Sequence, residues 1–244
     1  MTKIPIFIIT HDRYRVLNYS IDSYFKTITS PFEIVIFDQK STFPPMIDYL
    51  RFLESGDITV AWNHRNGNMS EMVDDLRNVI QEWLKNHPSP YYVVTDSDVA
   101  LDGCKGDILL YYAYLLEKFP DIECIGPMLR IDDIPDYYPL KKEAYERHYD
   151  LSWRRVPIAI PWEGINYHLL PSIIDTTFAM YRSSFPFKNY NIAFRSYAPY
   201  LAKHLDWYIN PAEMTDDQLY YLEHARRDLA NWGCRLFHEV AGKQ

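Results

Sequence analysis

Apolar and polar positions fall in blocks along the first hundred residues, and the blocks carry two different periods. Residues 4–9 are a nearly continuous apolar run that stops at Thr10-His11-Asp12-Arg13, the pattern of a strand buried on both faces whose end opens into a polar loop. Residues 14–27 then place Val16, Leu17, Tyr19, Ile21, Tyr24 and Phe25 at helical spacing. The pair repeats: residues 32–37 read as a second strand ending at Asp38, and Pro44-Pro45 opens a helix that runs through Leu53 and closes at Ser55-Gly56-Asp57. Residues 58–62 form a third strand that ends in Asn63-His64-Arg65-Asn66-Gly67. The next helix has the clearest pattern in the chain: Met69, Met72, Val73, Leu76, Val79, Ile80, Trp83 and Leu84, with Asn68 as its cap and Glu71 in the reciprocal position. Pro88 and Pro90 stop it, and residues 91–94, aromatic and β-branched, form a fourth strand that breaks at Thr95-Asp96-Ser97-Asp98.

Three strand–helix units leading into a fourth strand make a parallel, right-handedly wound α/β sheet the economical topology. Further on, residues 107–119 read as a helix and residues 122–129 as a strand with Gly126-Pro127 inside it. Residues 131–171 mix Lys141, Lys142, Arg147, Arg154 and Arg155 with many Tyr and Trp, and suit either a loop folding over a substrate or a surface insertion. Residues 173–181 are strand-like with Asp175 embedded in them, and residues 215–230 form an amphipathic helix on Leu219, Tyr220, Leu222 and Leu229. No Pro/Gly/Ser-rich linker or charge block divides the chain, so residues 1–244 are expected to form one domain.

Composition narrows the function classes. The 33 acidic and 25 basic residues give a net charge of −8, which argues against a general nucleic-acid binder, since such a protein needs a basic footprint to displace counterions. Cys104, Cys124 and Cys234 are widely spaced with no C-x-x-C pair, so neither a disulfide framework nor a thiolate zinc site is indicated, and a reducing, cytoplasmic compartment fits. No apolar run approaches the roughly 18 residues of a membrane span. The ending ARRDLANWGCRLF mixes Arg226, Arg227 and Arg235 with Trp232 and Phe237, and either packs on the domain or touches an anionic membrane surface. The 16% aromatic share, with 21 Tyr and 6 Trp, suits a core but also sugar recognition, where flat rings stack on C–H faces.

Wound parallel sheets bind ligands outside the carboxyl ends of their strands. Here those ends hold Thr10 to Arg13, Asp38, Asn63 to Arg65, and Asp96 with Asp98. Carboxylate oxygens are hard ligands suited to Mg²⁺ or Mn²⁺, and a cation so held can bridge to a diphosphate. Asp96 and Asp98 are two residues apart and would face opposite ways on a continuing strand, so the chain must turn there for both to serve one ligand; the same residues would also simply end a strand. With no G-x-G-x-x-G and no P-loop pattern, a phosphate site needs a metal ion or Arg and Lys to hold the charge. Asp175, a carboxylate inside an apolar run, is a candidate general base, with Glu163 as its substitute. His204 is a sound third metal ligand beside carboxylates, in competition with seven other histidines, His224 and His238 among them.

These residues, taken in order, resemble the GT-A type nucleotide-sugar glycosyltransferases, the family-2 group and its small bacterial and viral relatives. The resemblance lies in T-H-D-R at Thr10 to Arg13, F-D-x-x-S-T at Phe37 to Thr42, N-x-R-N-G at Asn63 to Gly67, T-D-S-D-V at Thr95 to Val99, I-D-T-T-F-A-M-Y-R at Ile174 to Arg182, and H-L-x-W-Y at His204 to Tyr208. It implies a GT-A fold with a Rossmann-like, mostly parallel central sheet flanked by helices. Residues 1–102 would be the nucleotide-binding part, and residues 103–244 the acceptor part and C-terminal helices. It also implies an inverting, metal-dependent transferase acting on a UDP-sugar and a saccharide, lipid-linked or protein-linked acceptor, with Mn²⁺ or Mg²⁺ as cofactor. Residue by residue, Thr10, Arg13, Asp38, Arg65, Asp96 and Ser97 would line the nucleotide, and Asp96, Asp98 and His204 would hold the metal. Asp175 would be the base, although the family's usual E-D pair at a helix start is missing from this chain. Two rivals share parts of this logic: a sugar nucleotidyltransferase, whose G-x-G-T-R loop is absent here, and a carbohydrate-binding protein without catalysis.

Overall fold

The four apolar runs of the N-terminal half become neighbouring strands. The computed structural model describes residues 2–65, 67–188 and 191–224 together with Trp232, Arg235 and Leu236. In it β1 (Ile4–Thr10), α1 (Tyr14–Thr27), β2 (Phe32–Gln39), α2 (Pro44–Glu54), β3 (Thr59–Asn63), α3 (Met69–Asn86) and β4 (Tyr91–Asp96) follow the predicted alternation to within two residues at each end. The strands lie in the order β3-β2-β1-β4, all parallel, as they must when each connection is a returning helix. Successive residues of β1 face opposite ways. Ile6 and Ile8 pack with Leu17, Ile21 and Tyr24 of α1 and Met46 and Leu50 of α2, whereas Phe7 packs with Leu76 and Ile80 of α3. Helices therefore cover both faces and leave the strand ends as the open surface. The start of α3 shows the expected reciprocal cap: the Asn68 amide N–H donates to the Glu71 carboxylate (2.7 Å), and the Glu71 amide N–H donates to the Asn68 side chain (3.1 Å).

The second half continues the same sheet. In chain order it comprises β5 (Val99–Ala100), α4 (Ile108–Lys118), β6 (Cys124–Leu129), α5 (Lys141–His148), a π-helical turn at Tyr149–Trp153, β7 (Ile158–Trp162), β8 (Ile165–Ile174), β9 (Ala179–Arg182), β10 (Asn191–His204), a 3-10 turn at Leu205–Tyr208, and α6 (Asp216–His224). The strand order among the described residues is β3-β2-β1-β4-β9-β6-β10-β8-β7, with β5 paired to the end of β10. Along this path only β9 and β8 run against the rest, so the architecture is a mostly parallel α/β sheet flanked by helices.

Two expectations are corrected. Residues 131–171 are not one loop or insertion, because they hold α5 and contribute the β7–β8 hairpin to the sheet. Residues 173–181 are not one strand; they are the end of β8, a bend at 175–178, and the start of β9. The amphipathic helix expected over residues 215–230 is seen as α6 to His224, and Leu229, like Arg226, Arg227, Cys234, Phe237 and His238, lies outside the described residues. Among the described residues no helix is long and apolar enough to cross a membrane.

Candidate active site and cation site

Register brings the predicted strand ends together. Thr10 pairs with Asp38, and Ile9 pairs with Asp96, so the ends of β2, β1 and β4 present Asp38, Thr10 and Asp96 side by side. The Asp38 carboxylate is buried and accepts the Ser41 amide N–H (3.1 Å) and the Ser41 hydroxyl (2.5 Å); burial pushes its pKa up against these bonds. Beside it the buried Thr10 Oγ1 has no hydrogen-bond partner among the described residues.

Asp12 adopts φ 52°, a left-handed conformation that Asp tolerates better than most side chains. Its fully buried carboxylate accepts the amide N–H groups of Thr42 (2.6 Å) and Phe43 (2.7 Å) and the Thr42 hydroxyl (3.0 Å). The loop after β1 is thereby locked to the loop after β2.

The chain does turn between the two carboxylates of the Asp96-Ser97-Asp98 stretch. The Ser97 amide N–H donates to Ile9 O (2.9 Å), Ser97 O accepts the Ser20 hydroxyl (2.7 Å), and Val99 O accepts the Tyr24 hydroxyl (2.6 Å), so α1 clamps the turn from one side. From the other side the β8–β9 bend reaches over. Thr176 O accepts the Asp96 amide N–H (2.9 Å), and the Thr176 hydroxyl donates to Asp96 Oδ2. Gly126 of β6 makes room for that bend, since a Cβ there would stand 2.7 Å from Thr177 O. Burial, then the neighbouring Asp98 charge, raises the Asp96 carboxyl well above the usual range.

Asp98 faces a different group. β5 pairs with the last residues of β10, placing Val99 opposite His204, and Asp98 O accepts the Leu205 amide N–H (2.7 Å). His204 Nδ1 then lies 3.9 Å from Asp98 Oδ2, and the next turn adds Asp206, so that one ligand atom each from Asp98, His204 and Asp206 fall within 4.8 Å of one another. Trp207, fully buried, stacks its ring on His204 (centroids 5.0 Å, planes 9° apart) and fixes the imidazole's orientation. Between the carboxylates sits the Arg13 guanidinium, which donates to Asp98 Oδ2 (3.0 Å) and to Asp206 Oδ1 and lies 4.6 Å from the Tyr221 ring centroid.

The residues fit a hard divalent cation. Asp98 Oδ1 and His204 Nδ1 are buried and have no hydrogen-bond partner among the described residues, and two carboxylates with an imidazole form a donor set suited to Mg²⁺ or Mn²⁺. Burial, with Arg13 nearby, lowers the imidazole pKa against the pull of Asp98, which favours the neutral ring a metal requires. Burial alone would raise the Asp98 carboxyl, but positive charge beside it, from His204 when its ring is protonated and from the Arg13 guanidinium that also hydrogen-bonds it, outweighs burial and holds it below its usual range.

The predicted residues divide accordingly. Asp98 and His204 share the cluster, while Asp96 stands beside it, bonded to Thr176. Asp206, which completes the cluster, was hidden at the unspecified position of H-L-x-W-Y; its spacing of two from His204, across a turn, repeats the Asp96–Asp98 spacing. Asp175 is not embedded in a strand. It lies in the bend after β8, half exposed, with Oδ1 accepting the Thr177 hydroxyl (2.9 Å) and facing Arg195 at 3.9 Å. Arg65 is not drawn into the cluster, because its exposed guanidinium pairs with Asp75 (3.0 Å) on α3. Glu163 sits in the β7–β8 turn, 3.4 Å from Lys105.

No family model and no curated protein sequence matches the chain. Solved structures similar in fold include TarS 1-349 from S. aureus, 12% identical with a TM-score of 0.49 over 98% of this chain and 71% of that one. Full TarS from S. aureus is matched at 12% identity and a TM-score of 0.48 over 99% of this chain but 43% of that one. The mannosyltransferase PcManGT from Pyrobaculum calidifontis, in complex with GDP-Man and Mn²⁺, is 11% identical with a TM-score of 0.47 over 99% of this chain and 74% of that one. These structures, to which the chain is similar, are GT-A type glycosyltransferases.

Proposed function

We propose that the protein transfers a sugar from a nucleotide-sugar donor, a UDP-sugar in the first instance, to a hydroxyl of an acceptor. One observation carries this reading: Asp98, His204 and Asp206 converge, with Asp98 Oδ1 and His204 Nδ1 buried and unpaired among the described residues, beside the ends of the strands that carry Thr10, Asp38 and Asp96. A cation site beside the ends of parallel strands is an arrangement that holds a nucleoside diphosphate in a chain without a glycine cradle.

Asp98, His204 and Asp206 would hold Mn²⁺ or Mg²⁺, which when bound supplies positive charge for a departing diphosphate. The protein's own groups do the rest. Thr10 Oγ1 and the Asp38 carboxylate meet the base, and Asp96, kept in place by Thr176, meets the ribose. Ser97, clamped by Ser20, holds the turn that aims Asp96 and Asp98 in different directions. Asp175 takes the proton of the acceptor hydroxyl on Oδ2, since Oδ1 is engaged by Thr177. The freed oxygen attacks the anomeric carbon from the face opposite the diphosphate, and the bond from that carbon to the phosphate oxygen breaks, inverting the configuration. The stacked Tyr145–Tyr149 pair (centroids 5.7 Å) is half exposed on the acceptor side of the chain and offers flat faces to a saccharide. On this reading residues 1–102 serve the nucleotide and residues 103–244 the acceptor, apart from His204 and Asp206, which complete the cation site.

The test is a melting-temperature panel of nucleotide-sugars with and without Mn²⁺, followed by hydrolysis or transfer assays with any that bind. The reading expects Mn²⁺-dependent stabilisation by at least one donor and its loss in Asp98→Asn. A panel in which no nucleotide-sugar raises the melting point under either condition overturns it.

A further inference from the structure

We propose that Arg13 is a fixed counter-cation that makes metal binding and diphosphate binding depend on each other. The inference rests on the cation and nucleotide reading of the site and adds to it a device that sets the order of events. The Arg13 guanidinium spans Asp98 Oδ2 and Asp206 Oδ1, two of the three ligands in the cluster, and is almost fully buried there. Its planar fork matches two carboxylates at once, and it stays charged at every pH the protein meets. Tyr221 backs the guanidinium, and Arg13 O accepts the Leu17 amide N–H (3.0 Å) in the first turn of α1, so both ends of the residue are held.

Charge counting then decides what the site accepts. With a neutral imidazole, the two carboxylates and one guanidinium sum to a single negative charge. A divalent cation approaching Asp98 Oδ1 and His204 Nδ1, the atoms left unpaired, must come close to a positive group that cannot lose its proton. In a buried site this repulsion is poorly screened. A diphosphate arriving with the cation brings enough negative charge to offset both. The free protein should therefore bind the ion weakly and the ion–diphosphate pair tightly, and by linkage each ligand strengthens the other by the same factor. Arg13 would thus keep the site from filling with cation when no donor is present.

The experiment is a Mn²⁺ titration of the full chain followed by the paramagnetic signal of free Mn²⁺, with and without saturating UDP. For the wild type the proposal expects weak binding alone and at least tenfold tighter binding with UDP. Arg13→Gln, which removes the charge and keeps hydrogen bonding, should bind Mn²⁺ alone at least tenfold more tightly than wild type and lose most of the strengthening by UDP. Arg13→Lys keeps the charge and should stay near the wild-type pattern. The proposal is overturned if Arg13→Gln, folded by circular dichroism, binds Mn²⁺ alone no better than wild type. Should that variant fail to fold, Arg13→Lys and the wild type decide: equal Mn²⁺ affinity with and without UDP sinks the proposal and leaves the cation site standing. If the wild type binds no Mn²⁺ even with UDP, the functional reading fails as well.

Discussion

Replacing Asp12 by Ala tests whether the loops that form the proposed nucleotide pocket are held by one buried carboxylate. The side chain is fully buried and accepts two backbone N–H groups at 2.6 and 2.7 Å and a hydroxyl at 3.0 Å. Hydrogen bonds to a charged group contribute about 1.5–3 kcal/mol each. Thr42 is exposed, so water can replace part of what it loses, and the net loss is roughly 3 kcal/mol rather than the full sum. Ala at φ 52° adds about 1 kcal/mol of backbone strain that Asp bears more easily. The total of about 4 kcal/mol should lower the melting temperature by ~8–16 °C for a chain of this size. Urea unfolding followed by tryptophan fluorescence measures it. Asp12→Asn, which keeps an acceptor oxygen and tolerates the left-handed backbone, should lose about half as much, and Asp12→Gly, free of the left-handed strain, should be about 1 kcal/mol more stable than Asp12→Ala. If Asp12→Ala unfolds within about 1 kcal/mol of wild type, the carboxylate is not the lock.

Three further outcomes follow from the same geometry. Asp96 has its folded pKa raised by burial and by Asp98, so its protonated form is favoured by folding, and the stability it contributes is lost as pH rises through the window above the ordinary Asp value. Asp96→Asn should therefore match wild-type stability at low pH and become the more stable protein as pH rises, while losing nucleotide binding; melting curves from acid to neutral pH would show otherwise if the two proteins stay parallel. Gly126→Ala places a Cβ 2.7 Å from the Thr177 carbonyl and should destabilise by about 1–3 kcal/mol while disturbing the bend that carries Asp175 and Thr176; a wild-type melting point and turnover would show that the bend has room to spare. Asp175→Asn should leave Mn²⁺ and UDP affinity unchanged and stop transfer, and surviving turnover would move the base elsewhere.

The N-terminal half was readable because each element there carries its own period: β1 is apolar on both faces, α3 repeats at three and four, and Asn68 with Glu71 marks the helix start. Strand ends follow from strand positions, which is why the sequence alone groups Thr10, Asp38 and Asp96. The C-terminal half depends on long-range pairing that no local period encodes. The β7–β8 hairpin joins the sheet through β10, and β10 itself shifts register between Ser196 and Leu201 before its last residues turn to meet β5. That pairing sets His204 opposite Val99 and draws in Asp206, so His204 could be named as a candidate while Asp206 could not. Asp175 misled for a related reason: the run IIDTTFAMY has the composition of one strand, yet it divides at a bend whose backbone is fixed by contacts with Asp96 and Gly126.

The most direct test is a crystal grown or soaked with Mn²⁺ and UDP, with anomalous scattering recorded to locate the ion. The account predicts one Mn²⁺ peak bounded by Asp98, His204 and Asp206, with the diphosphate against it and the uracil beside Asp38 and Thr10. Mn²⁺ bound only at other carboxylates, or UDP seated away from the ends of β1, β2 and β4, would contradict it.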